Sequence, residues 1–212
     1  GGADYSVISA TITGDINIYS DNITVTHSHC NNINLITNSG DSLSNILISK
    51  NAIDQTINSA SWNSFCSNII ITNNFMRTLF LSSNTSAVIT YNSILFGNYY
   101  TPSTIWNSIF SHNIYSSPYS ITFTNCNISD NICSNQFLPI GNNNENDVDM
   151  STVFLNWNAW NGDHFELNPS YPNQDLGMFA GVDPYTLACQ PGIPSIYQLS
   201  IPATATGNTL NI

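Results

Sequence analysis

SNIIITNNFM, residues 67–76, sets a short run of β-formers between asparagines with no charge nearby. Close variants recur as SNILISKNAI (44–53), SAVITYNSIL (86–95) and YSITFTNCNI (119–128). In each, the chain becomes apolar again soon after the Asn, so it turns sharply and resumes a buried strand. A sharp bend needs one residue near the left-handed region, and Asn tolerates that region better than other non-glycine residues. Asn73 or Asn74 therefore takes the bend. Stacking such coils sets the Asn side chains over one another, where each amide donates to the next. The predicted corner and ladder positions are Asn51, Asn74, Asn92, Asn107 and Asn127. Alternation within the run puts Ile69 and Ile71 on one face and Ile70 and Thr72 on the other.

Working outward, residues 7–135 are a series of such runs, rich in Ile, Val, Phe and Thr. No apolar stripe at helical spacing is long enough for a helix. Comparable runs start at Ile33, Ile46, Ile69, Val88, Ile105 and Ile121, with gaps of 13, 23, 19, 17 and 16 residues. That irregular period is too short for a βαβ unit or a propeller blade and fits one turn of a β-solenoid. Eight of the nine prolines follow residue 117, so the repeat body suits a fully laddered sheet. The expected organisation is coils over 1–135, C-terminal coils and a covering segment over 136–190, and a strand tail over 191–212.

Composition narrows the partners. Of 212 residues, 7% are charged, against roughly 25% in an ordinary soluble domain. Asn takes their place, with 33 copies. The net charge is −11, with Lys50 and Arg77 the two basic residues. Two cations cannot neutralise a phosphate backbone, which argues against nucleic acid. The same shortage argues against an anionic membrane surface. No apolar run approaches the roughly 18 residues of a transmembrane span. The opening GGADYSV reads as a mature or trimmed end. Few basic residues, many Asn, Thr and Tyr, and glycosylation-type sequons point to an extracellular address.

The C-terminal third carries the motifs FELNPSYP (165–172), DLGMFAGVDPYTL (175–187) and PGIPSIYQLSIP (191–202). With the repeats, these resemble secreted bacterial right-handed parallel β-helix repeat proteins of the kind common in Bacteroidetes. In that family the repeats lead into F-x-L, then D-x-G-x-F-G-G-x-x-P-Y and P-x-I-P-x-I. Here these are Phe165 and Leu167; Asp175, Gly177, Phe179, Gly181, Pro184 and Tyr185; and Pro191, Ile193, Pro194 and Ile196. Ala180 departs from the pattern, standing where a second Gly is usual. The resemblance implies an all-β, single-stranded right-handed parallel β-helix with an extended Pro/Gly-rich C-terminal segment. It implies little about activity, because the fold hosts lyases, tailspikes and adhesins alike.

Chemistry-bearing residues are sparse. Pectin hydrolases of this fold use clustered Asp, Gly-His-Gly and Arg-x-Lys, and none of these is present. Body acids such as Asp15, Asp21, Asp41, Asp54 and Asp130 stand apart, whereas acid–base cleavage needs two placed carboxylates. NENDVDM (144–150) is the densest acidic group. Glu145, Asp147 and Asp149 there have the oxygen chemistry of a Ca²⁺ loop, without EF-hand spacing. An exposed acidic loop is the alternative. THSHC (26–30) sets His27 and His29 two apart on a strand. Aromatics gather at Tyr99, Tyr100, Trp106, Phe110, Tyr115 and Tyr119, with Trp157 and Trp160 later; they fill the coil or stack on sugars. Cys126 and Cys133 bridge only if their strands are adjacent; otherwise the five cysteines are small buried fillers. Asn22, Asn84 and Asn127 are formal N-glycosylation acceptors, and Ser42 lies in the O-glycosylation-type run Asp41-Ser42-Leu43.

A solenoid leaves a sheet-edged coil at each end, and an open edge invites pairing. YSVISATITGDINIYS (5–20) supplies no helical cap, and SIYQLSIPATATGNTLNI (195–212) alternates like a strand. Ile196, Leu199, Ile201, Leu210 and Ile212 are the expected assembly strand. The expected function is a non-enzymatic extracellular structural protein, joined head to tail with copies of itself. No cofactor is expected unless Ca²⁺ binds the acidic loop. The alternative is a carbohydrate-binding or carbohydrate-cleaving surface protein with a pectate-lyase-like fold and glycans as partners.

Overall fold

The computed structural model describes residues 5–8, 10–37, 41–59, 65–95, 103–118, 120–157 and 165–185. These fold into a parallel β-solenoid. Sheet 1 has seven strands: Tyr5–Ile8, Ile23–Thr26, Ser42–Ser49, Phe65–Thr72, Thr85–Thr90, Ile109–Ser111 and Asn127–Ser129. Sheet 2 has six: His29–Cys30, Ala52–Ile53, Phe75–Met76, Ser93–Leu95, Ile114–Ser116 and Ile132–Cys133. The third side is shared by Ile16–Ile18, Ile33–Leu35, Thr56–Ser59 and Thr78–Phe80 as sheet 3, then by Ser103–Trp106 and Ile121–Thr124 as sheet 4. Every ladder between strands of neighbouring coils is parallel.

The strand pattern follows from alternation. In Phe65–Thr72, Ile69 and Ile71 are fully buried and Ile70 is 39% exposed. Val25, Ile48, Ile71, Ile89 and Phe110 repeat the inward position from coil to coil. Cys30, Ile53, Met76, Ile94, Tyr115 and Cys133 fill the side facing sheet 2. Cys30, Cys66, Cys126 and Cys133 are free thiols. Cys126 sits at a corner, where its Sγ donates to the carbonyls of Ile105 and Thr124. Cys133 lies in a sheet 2 strand, so the two do not bridge. Cys189 lies outside the described residues.

One corner fixes the stack. Between sheets 1 and 2 runs a fully buried column of Ser28, Asn51, Asn74, Asn92, Asn113 and Asn131. Asn51 Oδ1 accepts the Ser28 backbone N–H, and from Asn74 onward each Asn Oδ1 accepts both the backbone N–H and the side-chain N–H of the column residue before it. For Asn92 these bonds come from Asn74 at 3.0 and 3.1 Å. Asn92 Nδ2 then donates to Asn113 Oδ1 at 3.0 Å and to the carbonyls of Ile71 and Thr90. Burying an amide is favourable only when its hydrogen bonds are made. The steps along the column are 23, 23, 18, 21 and 18 residues.

Asn107 and Asn127 stand outside this column. Asn107 takes a left-handed bend (φ 47°) at the other edge of sheet 1 and accepts from Asn125 Nδ2 at 2.7 Å. Asn127 is exposed on its strand. Of the five proposed ladder residues, Asn51, Asn74 and Asn92 lie in the column, Asn107 at the other corner and Asn127 on a strand. Ile33 belongs to sheet 3, and Ile105 and Ile121 to sheet 4, whereas Ile46, Ile69 and Val88 belong to sheet 1. Mixing sides scrambled the sequence period.

The C-terminal end of the stack is closed. Phe137 and Leu138 pack against the last core residues. Asn142 O accepts the Asp130 N–H at 2.8 Å, and Glu145 O accepts the Cys133 N–H at 2.8 Å. Asn144 ends the amide column by accepting from Asn131 Nδ2 at 3.0 Å. A short helix, Met150–Val153, follows, capped by Asp149, which accepts the Ser151 N–H. Residues 150–157 and 165–185 then cover the outer face of sheet 2. Leu95, Ile114 and Ile132 pack there with Met150, Val153, Phe154, Phe165, Leu176, Met178 and Tyr185 as a second core. Phe75 and Phe165 stack at 4.6 Å. At the N-terminal end, Tyr5–Ile8 and Ile16–Ile18 each have a strand neighbour on one side among the described residues. Residues 191–212 lie outside the described residues. No helix among the described residues is long and apolar enough to cross a membrane.

Candidate functional site

The residue before each buried column position is left-handed: His27, Lys50, Asn73, Tyr91, His112 and Asp130, with φ between 51° and 58°. A non-glycine residue there costs about 1–2 kcal/mol. The buried amide that follows holds the bend, so the left-handed residue need not be Asn. Chemistry-bearing side chains collect along this one corner as a result. A hydroxyl residue precedes each of them: Thr26, Ser49, Thr72, Thr90, Ser111 and Ser129.

The C-terminal segment straps over this corner from Asp175 to Asp183. Gly177 N–H donates to His112 O at 2.9 Å, and Met178 N–H donates to Ser93 Oγ at 3.2 Å. Asn73 Nδ2 donates to the carbonyls of Met178 and Ala180 at 3.1 and 2.8 Å. Two glycines make the approach possible. Gly181 (φ 83°) lies against the Tyr91 ring, where an added Cβ would stand 3.1 Å from it. Gly177 (φ 68°) leaves 2.7 Å between such a Cβ and Ile114 Cδ1.

Side chains fasten both ends of the strap. Asp175 lies 3.5 Å from His112 Nε2 and accepts from the Tyr91 hydroxyl at 3.4 Å. Tyr91 and His112 stack at 4.8 Å. Burial, then the Asp175 carboxylate, holds the Tyr91 phenol above its ordinary pKa, so it stays a donor. Lys50 pairs with Asp183 at the far end. Burial and the Lys50 ammonium hold His27 below its ordinary pKa, so the imidazole beside this pair is neutral near pH 7. Bonds from Asn143 and Ser129 hold the Asp130 carboxyl below its usual range. Tyr91 and Lys50 spend their polar groups on the strap, so the corner works as a fastener.

Next to the strap, no described residue lies over the centre of the outer face of sheet 1. Its central row is Thr24, Leu47, Ile70, Val88, Ile109 and Asn127, in register across six strands. Ile70, Val88 and Ile109 are 39, 37 and 43% exposed. The hydroxyl row flanks it on the strap side. Asn22, Asn45 and Asn68 flank the other side, with Asn45 donating to Asn22 and Asn68 to Asn45. A cleft of about 250 Å³ opens between Leu47, Ser49, Thr72 and Thr90 and the strap tip, Val182 and Asp183.

The acidic loop is used differently from the Ca²⁺ expectation. Glu145 accepts from the Tyr171 hydroxyl, Asp147 from Gln136 at 2.7 Å, and Asp149 caps the helix. Among the described residues no three His, Cys, Asp or Glu side chains gather as a metal site. His27 and His29 do not share a strand face, because the left-handed bend at His27 separates them; His29 pairs with Asp54 at 3.0 Å. Of the aromatics, Phe110 and Tyr115 are buried and Trp157 stacks on Phe154. Tyr99, Tyr100, Tyr119 and Trp160 lie outside the described residues. Asn22 is committed to its amide row, Asn84 is half-buried in a turn, and Asn127 and Ser42 are exposed.

The strapped corner itself escaped the sequence reading. Its signal is an apolar–hydroxyl–any–Asn run: ISKN, ITNN, ITYN, FSHN and ISDN, ending at the five column asparagines, with VTHS as the first turn. No family model, curated protein or solved structure matches the chain.

Proposed function

We propose that this chain is a non-enzymatic, extracellular structural protein that joins copies of itself end to end. The observation behind the reading is the asymmetry of the two ends. Phe137–Val148 lies over the last coil and accepts the N–H groups of Asp130, Asn131 and Cys133. The first coil offers sheet edges with no further strand among the described residues. An unpaired edge is a template for a strand from another chain. The alternating run containing Ile196, Leu199 and Ile201 is the proposed donor, with Leu210 and Ile212 beyond it. A head-to-tail contact of this kind propagates unless the ring closes.

A structural role also accounts for the uses to which the polar groups are put. The acidic run weighed as a Ca²⁺ loop lies in the segment that closes the stack, and the titratable corner holds a strap. Low surface charge favours association, because it leaves little repulsion to overcome once salt screens the net −11. The test is negative-stain microscopy with sedimentation of native protein. Filaments or a concentration-dependent series of oligomers are expected, lost on deleting residues 197–212. A monomer that persists at high concentration and physiological salt overturns the reading.

A further inference from the structure

The three outer sides of the solenoid are treated unequally. Sheet 2 is covered by residues 150–157 and 165–185. Sheet 3 carries an amide row, with Asn34 donating to Asn17 at 2.9 Å. Sheet 1 shows a row of branched aliphatic side chains and nothing among the described residues lies over its centre. Such a row on a parallel sheet is the kind of surface that proteins ordinarily cover.

We propose that the row Leu47–Ile70–Val88–Ile109 is the seat of the chain's own residues 191–212. Three observations point to this occupant. First, the chain is already at the edge of that face: Val182 and Asp183 form one wall of the cleft whose floor is Leu47, Ser49, Thr72 and Thr90. Tyr185, two residues on, is buried in the layer over sheet 2 and donates its N–H to Met178 O. Covering sheet 1 thus continues a covering that the same segment has begun. Second, the length suffices. The 27 residues 186–212 reach about 3.3 Å each when extended. Crossing from Leu47 to Ile109 takes three strand spacings, about 14 Å. Third, the surfaces match in charge. Residues 186–212 contain no Asp, Glu, Lys or Arg, and the central row of sheet 1 contains none either. Tyr197, Leu199 and Ile201 alternate with Gln198 and Ser200, giving one apolar side to lie on the row and one polar side for water.

The seat does not depend on end-to-end joining, but its consequence for assembly rests on that reading. The donor strand would rest on its own sheet 1 and leave it when an open edge of a second copy competes. The seat then restrains polymerisation in dilute protein.

The experiment places benzoylphenylalanine at position 88, where Val88 is part-exposed, and irradiates dilute full-length protein. Light and heavy-isotope chains are mixed one to one, and cross-links are mapped by mass spectrometry. The expected product joins position 88 to residues 191–212 with both ends of one isotope. Products of mixed isotope show a second copy on the face and overturn the proposal. Absence of any link to 191–212 also overturns it, and leaves the face to another partner such as a neutral glycan. A chain lacking 191–212 should bind several-fold more of an apolar dye while keeping its β-sheet circular dichroism; equal dye binding overturns the proposal. Microscopy scores end-to-end joining separately, so either idea can fail alone.

Discussion

At the residue scale, two adjacent positions divide the work that one Asn was expected to do. The left-handed bend is taken by Asn73, Tyr91 or His112, and the ladder by Asn74, Asn92 and Asn113. The sequence of 67–76 shows both asparagines but not which one is buried, because both suit a bend. Where the bend residue is Lys, Tyr or His, composition conceals the motif. The division predicts unequal effects of the same substitution. Asn92→Ala removes the acceptor of two Asn74 donors and the amide that donates to the Ile71 and Thr90 carbonyls, while Asn113 Oδ1 keeps the backbone N–H of position 92. Leaving buried groups unpaired costs about 1–3 kcal/mol each, so urea unfolding should show a loss of about 3 kcal/mol or more. Asn107→Ala, in an exposed amide row, should cost about 1 kcal/mol or less.

Tyr171 offers a pH signature at the same scale. Burial, then the Glu145 carboxylate, pushes its phenol up to about 12. A pKa raised in the folded state means that the folded protein keeps a proton that the unfolded chain gives up. That contribution is whole below the ordinary pKa of about 10 and is lost as pH rises toward 12. Stability measured between pH 9 and 12 should fall more steeply for the native chain than for Tyr171→Phe. Parallel profiles would show that the phenol does not couple to the fold.

At the scale of elements, the strand runs were legible because alternation and β-branching are local. The order of sides was not, since every side reads as Ile between Asn and Ser. The strap is the least legible element. Asp175, Gly177, Gly181 and Asp183 acquire meaning only through Tyr91, His112 and Lys50, which lie far away in the chain: 84 residues for the Tyr91–Asp175 bond and 133 for the Lys50–Asp183 pair. Its backbone is held chiefly by Asn73 and by the two left-handed glycines. Gly181→Ala adds a Cβ against Tyr91 at a positive φ and should release the strap. Lys50→Gln should do less, because one partner of that pair is 81% exposed and such pairs contribute about 0–1 kcal/mol. Limited proteolysis within 175–185 should rank Gly181→Ala fastest, then Lys50→Gln, then the native chain. Equal rates would show that the strap is held elsewhere.

At the scale of the whole molecule, the parallel solenoid was legible from repeat style, and the closed C-terminal end was not. Residues 137–148 read as an acidic loop in sequence, and their work is to satisfy the last coil's N–H groups. The end-to-end assembly proposed above carries a salt dependence. With a net charge of −11, copies repel at low ionic strength. Screening beyond about 8 Å at physiological salt should strengthen association, which sedimentation across a salt series would show. Weakening with salt would point to ion pairs in place of strand addition.

The unequal column steps have a consequence for how such a chain can change length. Five residues separate the bend residues on the sheet 1 side in Asn22–His27, Asn45–Lys50, Asn68–Asn73, Asn107–His112 and Asn125–Asp130. The return path from one coil to the next absorbs all the variation: 18 residues from His27 to Asn45 and from Lys50 to Asn68, 16 from Tyr91 to Asn107, and 13 from His112 to Asn125. The amide column is thus blind to insertions on the far side. Duplication, deletion or grafting of a foreign epitope on a return can alter a coil while the column keeps its bonds. The molecule is a fixed spine with an editable margin, and it is through that margin that related chains would diverge.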